Sequence, residues 1–222
     1  MLETIETTTG AKPAFSVIWL HGLGADGHDF APIVPELVRK DWPALRFVFP
    51  HAPVMPITIN NGYAMRAWYD IVSLDFSQPR EDAAGVRRAI SEVDALVARE
   101  RDRGVPANRV FLAGFSQGGA VTLVAGLRRA QPFAGLIALS TYLPLAAETA
   151  AEATPAGLAT PLFMAHGTQD PVVPFAAGQR SAETLKGLGV DVALRRYPMP
   201  HSVCAEEIRD LGEWMSGRFA AV

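Results

Sequence analysis

The stretch Arg109 to Gly119, RVFLAGFSQGG, constrains the fold of this chain more than any other segment. Val110, Phe111, Leu112 and Ala113 form a short unbroken apolar run, with Asn108 before it and Gly114 after it. An unbroken run of this length predicts a strand buried on both faces of a parallel sheet. A helix is expected to follow at once. Between them lies Gly114-Phe115-Ser116-Gln117-Gly118, a G-x-S-x-G pattern. Glycines two positions either side of a serine let a strand turn tightly into a helix without side-chain clashes. Such a turn lifts the Ser116 hydroxyl clear of the backbone at a helix N-terminus, where free N–H groups favour the negative charge that develops in acyl transfer. The plainer role for Ser116 is an N-cap.

The segments around this turn repeat one theme. Ser16 to Leu20 is a second apolar, β-branched run, ended by His21-Gly22, and a helical pattern follows through Phe30, Ile33, Val34, Leu37 and Val38. Phe47-Val48-Phe49 predicts a strand closed by Pro50, and the proline- and asparagine-rich segment Ala52 to Gln78 reads as a long irregular loop carrying aromatics. Arg80 to Arg103 is an amphipathic helix with apolar positions at Val86, Ile90, Val93, Leu96 and Val97, stopped by Gly104 and Pro106. Beyond the serine, strands are expected at Leu136–Leu139, Pro161–Ala165 and Val190–Tyr197, and helices at Ala176–Leu188 and Ala205–Phe219. The connection Thr141 to Thr160 is rich in alanine, threonine and proline and has no clear apolar face. Strands alternating with helices predict an α/β fold: one open, mostly parallel sheet with helices on both faces and ligands at the carboxyl ends of the strands.

Composition narrows the function. With 222 residues, 49% of them hydrophobic, the chain suits a single domain spanning 1–222 with one large core. A net charge of -3 gives no basic footprint, so neither nucleic acid nor an anionic membrane surface is the expected partner. The N-terminus MLETIETTTG has acids where a signal peptide needs bases, and no integral membrane segment is expected. A single cysteine, Cys204, rules out a disulfide framework and fits a reducing cytoplasm. Cys204 itself is expected to be a small buried apolar residue on the final helix.

Gly22-Leu23-Gly24-Ala25-Asp26-Gly27 matches the dinucleotide-binding G-x-G-x-x-G. The acid that such a fold needs at the end of its second strand is replaced by Pro50-His51, and Gly27 is followed by His28-Asp29 where a P-loop needs lysine and a hydroxyl. The other use of this loop is to aim the Leu23 amide at a substrate oxygen, paired with the amide of Gln117, as the two halves of an oxyanion hole. A plain tight turn is the simpler alternative. An activated serine also needs a base and an orienting acid, which follow it in the order Ser, Asp or Glu, His in hydrolases of this strand order. Asp170, in His166-Gly167-Thr168-Gln169-Asp170, and His201, in Met199-Pro200-His201-Ser202, both fall after strands at the expected carboxyl edge. His21, His28, His51 and His166 are assigned structural roles.

These residues together resemble the carboxylesterase and acyl-protein thioesterase (lysophospholipase-like) branch of the α/β-hydrolases. The resemblance runs through His21 to Gly27, Arg66-Ala67-Trp68-Tyr69-Asp70, Gly114 to Gly119, His166 to Asp170 and His201, and covers nearly the whole chain. It implies an α/β-hydrolase fold without a cap domain, with Ser116 as nucleophile, His201 as base, Asp170 as its orienter and the Leu23 and Gln117 amides as oxyanion hole. No metal and no cofactor are implied. The family's Trp-Phe-Asp segment reads Trp68-Tyr69-Asp70 here, a change placed at the lip of the acyl pocket.

The expected reaction is serine-dependent hydrolysis of short- to medium-chain carboxylic esters through an acyl-enzyme. Acyl-protein thioesters and lysophospholipids are the alternatives at the same site, and a catalytically silent binding protein is the rival from another class. The expected partner is a small-molecule ester or acyl thioester, and a homodimer is left open. A short Thr141–Thr160 connection offers no lid, so the acyl pocket is expected from Leu74, Phe76, Leu143 and Leu145, with Trp68 beside them. Ordinary packing beneath a long loop is the alternative for these side chains.

Overall fold

A computed structural model describes residues 2–76 and 80–220. Ser77 and Gln78, the end of the expected loop, lie outside the described residues. The chain opens with β1 (Thr4–Thr8) and β2 (Phe15–Leu20), followed by a 3₁₀ turn over Ala31–Ile33 that runs into α1 (Val34–Leu37) and then β3 (Leu45–Pro50). A hairpin of β4 (Val54–Ile57) and β5 (Tyr63–Arg66) precedes α2 (Ala83–Asp102), β6 (Val110–Phe115) and α3 (Gln117–Leu127). The remainder is β7 (Gly135–Leu139), α4 (Ala146–Glu152), α5 (Pro155–Leu158), β8 (Leu162–Gly167), α6 (Phe175–Gly187), β9 (Val192–Tyr197) and α7 (Ala205–Phe219).

Seven strands form one sheet in the order β1-β3-β2-β6-β7-β8-β9. All neighbours are parallel except β1 and β3, which are antiparallel at one edge. Successive side chains of a strand point to opposite faces, and the central strands are apolar on both. Ile18, Leu20, Leu112 and Leu136 pack with Val86, Val93, Val121 and Leu185 from α2, α3 and α6. Val17, Trp19, Phe47, Phe111 and Phe163 pack on the other face with Leu37 of α1 and Leu211 and Met215 of α7. This is the fold of the α/β-hydrolases.

The structure corrects the sequence reading at four elements. The helix expected over Phe30 to Val38 is a single 3₁₀ and α turn, because Pro32 and Pro35 lack amide donors and Val38 is already extended at φ -71, ψ 134. The supposedly irregular Ala52–Gln78 segment holds the β4–β5 hairpin, whose turn uses Asn61 and Gly62 at φ 54 and 77. Thr141–Thr160 contains two short helices, α4 and α5, which pack on α3. The β1 strand is a further element, its burial alternating only weakly along a polar edge.

Helix α7 leads out of the His201 loop and carries an unusual carboxyl. Glu207, third residue of the helix, is 0% exposed, and among the described residues neither oxygen has a hydrogen-bond partner. Burial pushes its pKa up to about 8, offset only partly by the nearby Cys204 amide. An acid whose folded pKa lies above its unfolded value near 4.5 binds more protons folded than unfolded. Stability is therefore lost as pH rises between these two values, and is not regained above them. Glu207→Gln is expected to raise the melting temperature at pH 8 by several degrees and to leave it almost unchanged at pH 4, measured by thermal unfolding at both.

Candidate active site

The turn after β6 is built by close approach. A Cβ on Gly114 would collide with the backbone of Gly118, and one on Gly118 with the carbonyls of Leu20 and His21. Ser116 sits between them at φ 53 and ψ -119, a strained conformation for a residue with a side chain. It is held from several sides. Its N–H donates to Leu139 O at 2.9 Å, its carbonyl accepts from Thr141 Oγ1 at 2.7 Å, and the Ala120 N–H reaches the same carbonyl at 3.0 Å. Its side chain makes no N-cap bond, so the hydroxyl is free to face the strand ends.

Three loops meet there. Ser116 Oγ lies 2.9 Å from His201 Nε2, and His201 Nδ1 lies 2.6 Å from Asp170 Oδ2. Asp170 is 8% exposed, and its Oδ1 accepts the Val172 and Val173 amides at 2.8 and 2.9 Å. These amides fix the carboxylate so that its second oxygen faces the imidazole. The His201 loop is pressed onto the end of β8, where a Cβ on Gly167 would strike the Met199 carbonyl. Phe115 packs its ring 4.7 Å from that of His201. The set can move a proton from a serine hydroxyl to an imidazole already oriented by a carboxylate.

The remaining histidines have other partners. His166 Nε2 donates to Val173 O at 2.8 Å, and burial holds its pKa below the usual value. His21 is bonded to Gly22 O and accepts the Ala52 N–H, and burial lowers its pKa as well. His51 accepts the Gly27 N–H, and His28 is exposed beside Asp26. His21 and His51 thus pin the glycine loop after β2, together with the Gly24 N–H on Arg66 O at 2.8 Å. Within the described residues no protein acceptor takes the amide of Leu23 or of Gln117.

Two side chains have duties that the sequence did not signal. The Gln117 amide group accepts the Trp68 N–H at 2.8 Å and donates to Tyr69 O at 2.7 Å, tying the start of α3 to the Trp68-Tyr69-Asp70 segment. Trp68, expected beside substrate, is instead 4% exposed in the core, with its indole N–H on His21 O at 2.8 Å. An indole N–H must find a partner when buried, and here it orients the strand end that leads to Leu23. Of the other expected pocket residues, Phe76 and Leu143 line a cavity of about 250 Å³ with Tyr142. Phe76 packs edge-on to Tyr142 at 5.0 Å. Leu145 packs on the core at φ 48 ahead of α4, and Leu74 is 47% exposed; neither lines that cavity. Cys204 is half-buried at the N-cap of α7, not within the helix, and lines a different cleft.

Fold and site define an α/β-hydrolase that acts on esters or thioesters. The chain belongs to the phospholipase/carboxylesterase family, whose model matches residues 3–217. It is 40% identical to acyl-protein thioesterase 1 of Mycosarcoma maydis across 95% of this chain and 94% of that protein. Acyl-protein thioesterase 1 of Neurospora crassa is also 40% identical, across 96% and 90%. Among solved structures, Arabidopsis thaliana SOBER1 superposes with a TM-score of 0.87 at 32% identity, covering 92% of this chain and 98% of that one. Zea mays acyl-protein thioesterase 2 gives 0.85 at 25%, covering 99% and 100%.

Proposed function

We propose that the chain, acting as one domain over residues 1–222, removes acyl groups from thioesters, with S-acyl cysteine of proteins as the leading substrate and short- to medium-chain oxygen esters as further ones. The observation that carries this reading is the unbroken hydrogen-bonded series Ser116–His201–Asp170 at the strand ends. The relatives shift the first choice from oxygen ester to thioester, since two at 40% identity are named acyl-protein thioesterases. In this reading His201 takes the Ser116 proton as Oγ attacks the acyl carbon, and the amides of Leu23 and Gln117 hold the oxyanion. Water, activated by the same imidazole, then frees the acid. A catalytically silent binder of the same fold would have no use for a strained serine bonded to an oriented imidazole. The lone cysteine, free in the structure, suits a reducing cytoplasm as the place of action, and no helix among the described residues is long and apolar enough to cross a membrane.

The acyl chain is assigned to the Phe76–Tyr142–Leu143 cavity, which begins one residue beyond Thr141 and its bond to the Ser116 carbonyl. At about 250 Å³ it is smaller than most ligand pockets, which start near roughly 300 Å³. Each methylene buried there adds up to about 0.8 kcal/mol until the space is filled. With matched thioesters and aryl esters of graded acyl length, kcat/KM is expected to climb and then plateau at medium chains, without a jump at the solubility limit of the substrate. Phe76→Ala is expected to flatten the climb. A sharp rise on emulsified long-chain substrate would contradict a lidless pocket that fills at medium chains.

A further inference from the structure

A second cleft, larger than the Phe76–Tyr142 cavity, reaches the catalytic histidine. Its volume is about 440 Å³, within the range of small-molecule sites, and His201 itself forms part of its wall beside Phe115, Phe30, Ile33 and Cys204. None of Ser116, His201 and Asp170 lines the Phe76–Tyr142 cavity. The wall of the larger cleft carries two carboxylates, Asp29 and Glu36, both exposed, and among the described residues no lysine or arginine lines it. Arg39 and Arg209 line an adjoining depression that shares Glu36, Ala205 and Ile208 with the cleft.

In a tetrahedral intermediate on Ser116 Oγ, three directions are constrained. The oxyanion faces the Leu23 and Gln117 amides, the leaving atom must lie within reach of His201 Nε2, and the acyl chain takes the direction that remains. We propose that the His201-walled cleft receives the leaving group and favours one that carries positive charge, specifically a cysteine flanked by lysine or arginine in the peptide being deacylated. The inference rests on the thioesterase reading above. The Ser116 Oγ proton passes to His201 Nε2 as the O–C bond forms. On collapse the C–S bond breaks, the same proton goes to sulfur, and the peptide departs as its thiol into a cleft whose apolar floor takes the cysteine neighbourhood and whose acidic rim faces the flanking cations. Asp29 is the stronger contributor, because Glu36 also lines the depression that holds Arg39 and Arg209.

The test uses the full chain and a set of peptides bearing the same S-acyl cysteine flanked by lysines, glutamines or glutamates, with the thioester of a small uncharged thiol as reference. At low ionic strength the lysine peptide is expected to exceed the glutamate peptide in kcat/KM by about tenfold, and the gap to close with added salt. Asp29→Asn with Glu36→Gln is expected to cost the lysine peptide about fivefold more than the reference thioester, with Asp29→Asn alone giving most of that loss. Equal turnover of the three peptides, or an equal loss on every substrate in the double variant, would overturn the proposal while leaving the thioesterase reading intact. Absence of Ser116-dependent turnover of the reference thioester would overturn both.

Discussion

Ser116→Ala is expected to lower turnover of both esters and thioesters by about 10⁶, while unfolding and circular dichroism stay close to those of the parent chain. The loss is large because the hydroxyl supplies the bond that splits hydrolysis into two steps, and nothing else in the site can replace it. His201 lies 2.9 Å from the Ser116 oxygen and would be left facing a methyl group, with Asp170 still bonded to its other nitrogen. Folding is spared for a separate reason. The bonds that fix this turn run through the backbone of residue 116, to Leu139, Thr141 and Ala120, and alanine keeps all of them. The strained φ of 53 is no worse for alanine than for serine. Retention of more than a hundredth of the activity would remove Ser116 from the reaction.

Asp170→Asn comes next, with an expected loss of about 10⁴ in kcat at neutral pH. The substitution preserves size, and the Val172 and Val173 amides can still donate to the side-chain oxygen. The group left against His201 Nδ1 is then an amide N–H, which demands an acceptor there and drives the proton to Nε2. An imidazole protonated at Nε2 cannot accept the serine proton. His166, 3.5 Å from the same carboxylate, keeps its bond to Val173 and cannot take over. Substitution of Asp210 provides the contrast, since its carboxylate accepts the Tyr197 hydroxyl at 2.8 Å on α7. Its expected cost is in stability and not in turnover.

How much of this was legible beforehand follows from which physical signals are local. The parallel strands β2, β6, β7 and β8 announce themselves as apolar runs because both faces are buried, and α2 and α7 show one-sided apolar spacing. The order Ser116, Asp170, His201 after successive strands is likewise visible, since each residue lies in a loop at the carboxyl edge of the sheet. The β4–β5 hairpin carried a usable signal in Asn61-Gly62, obscured by Pro53 just before its first strand and Pro56 within it. β1 had almost none: Thr4 to Thr8 is a polar edge that gains its structure from pairing with β3. Trp68 and Gln117 show the limit most clearly. Each is a polar-capable side chain whose partner lies about fifty residues away, and the choice between facing substrate and bracing the loop is made by tertiary hydrogen bonds. The acyl pocket was half legible for the same reason. Phe76 and Leu143 meet across the fold, whereas Leu145 turns into the core at a left-handed residue that sequence alone does not mark.

The proposed reaction requires an activated serine at position 116, and covalent labelling with a tagged fluorophosphonate reads that property most directly. The reagent forms an adduct with a serine whose oxygen is deprotonated by a neighbouring base and whose oxyanion is held. Stoichiometric labelling on the peptide that contains Ser116, abolished in Ser116→Ala and strongly slowed in Asp170→Asn, is the predicted result. An unlabelled native chain, or an adduct on another serine, would contradict it.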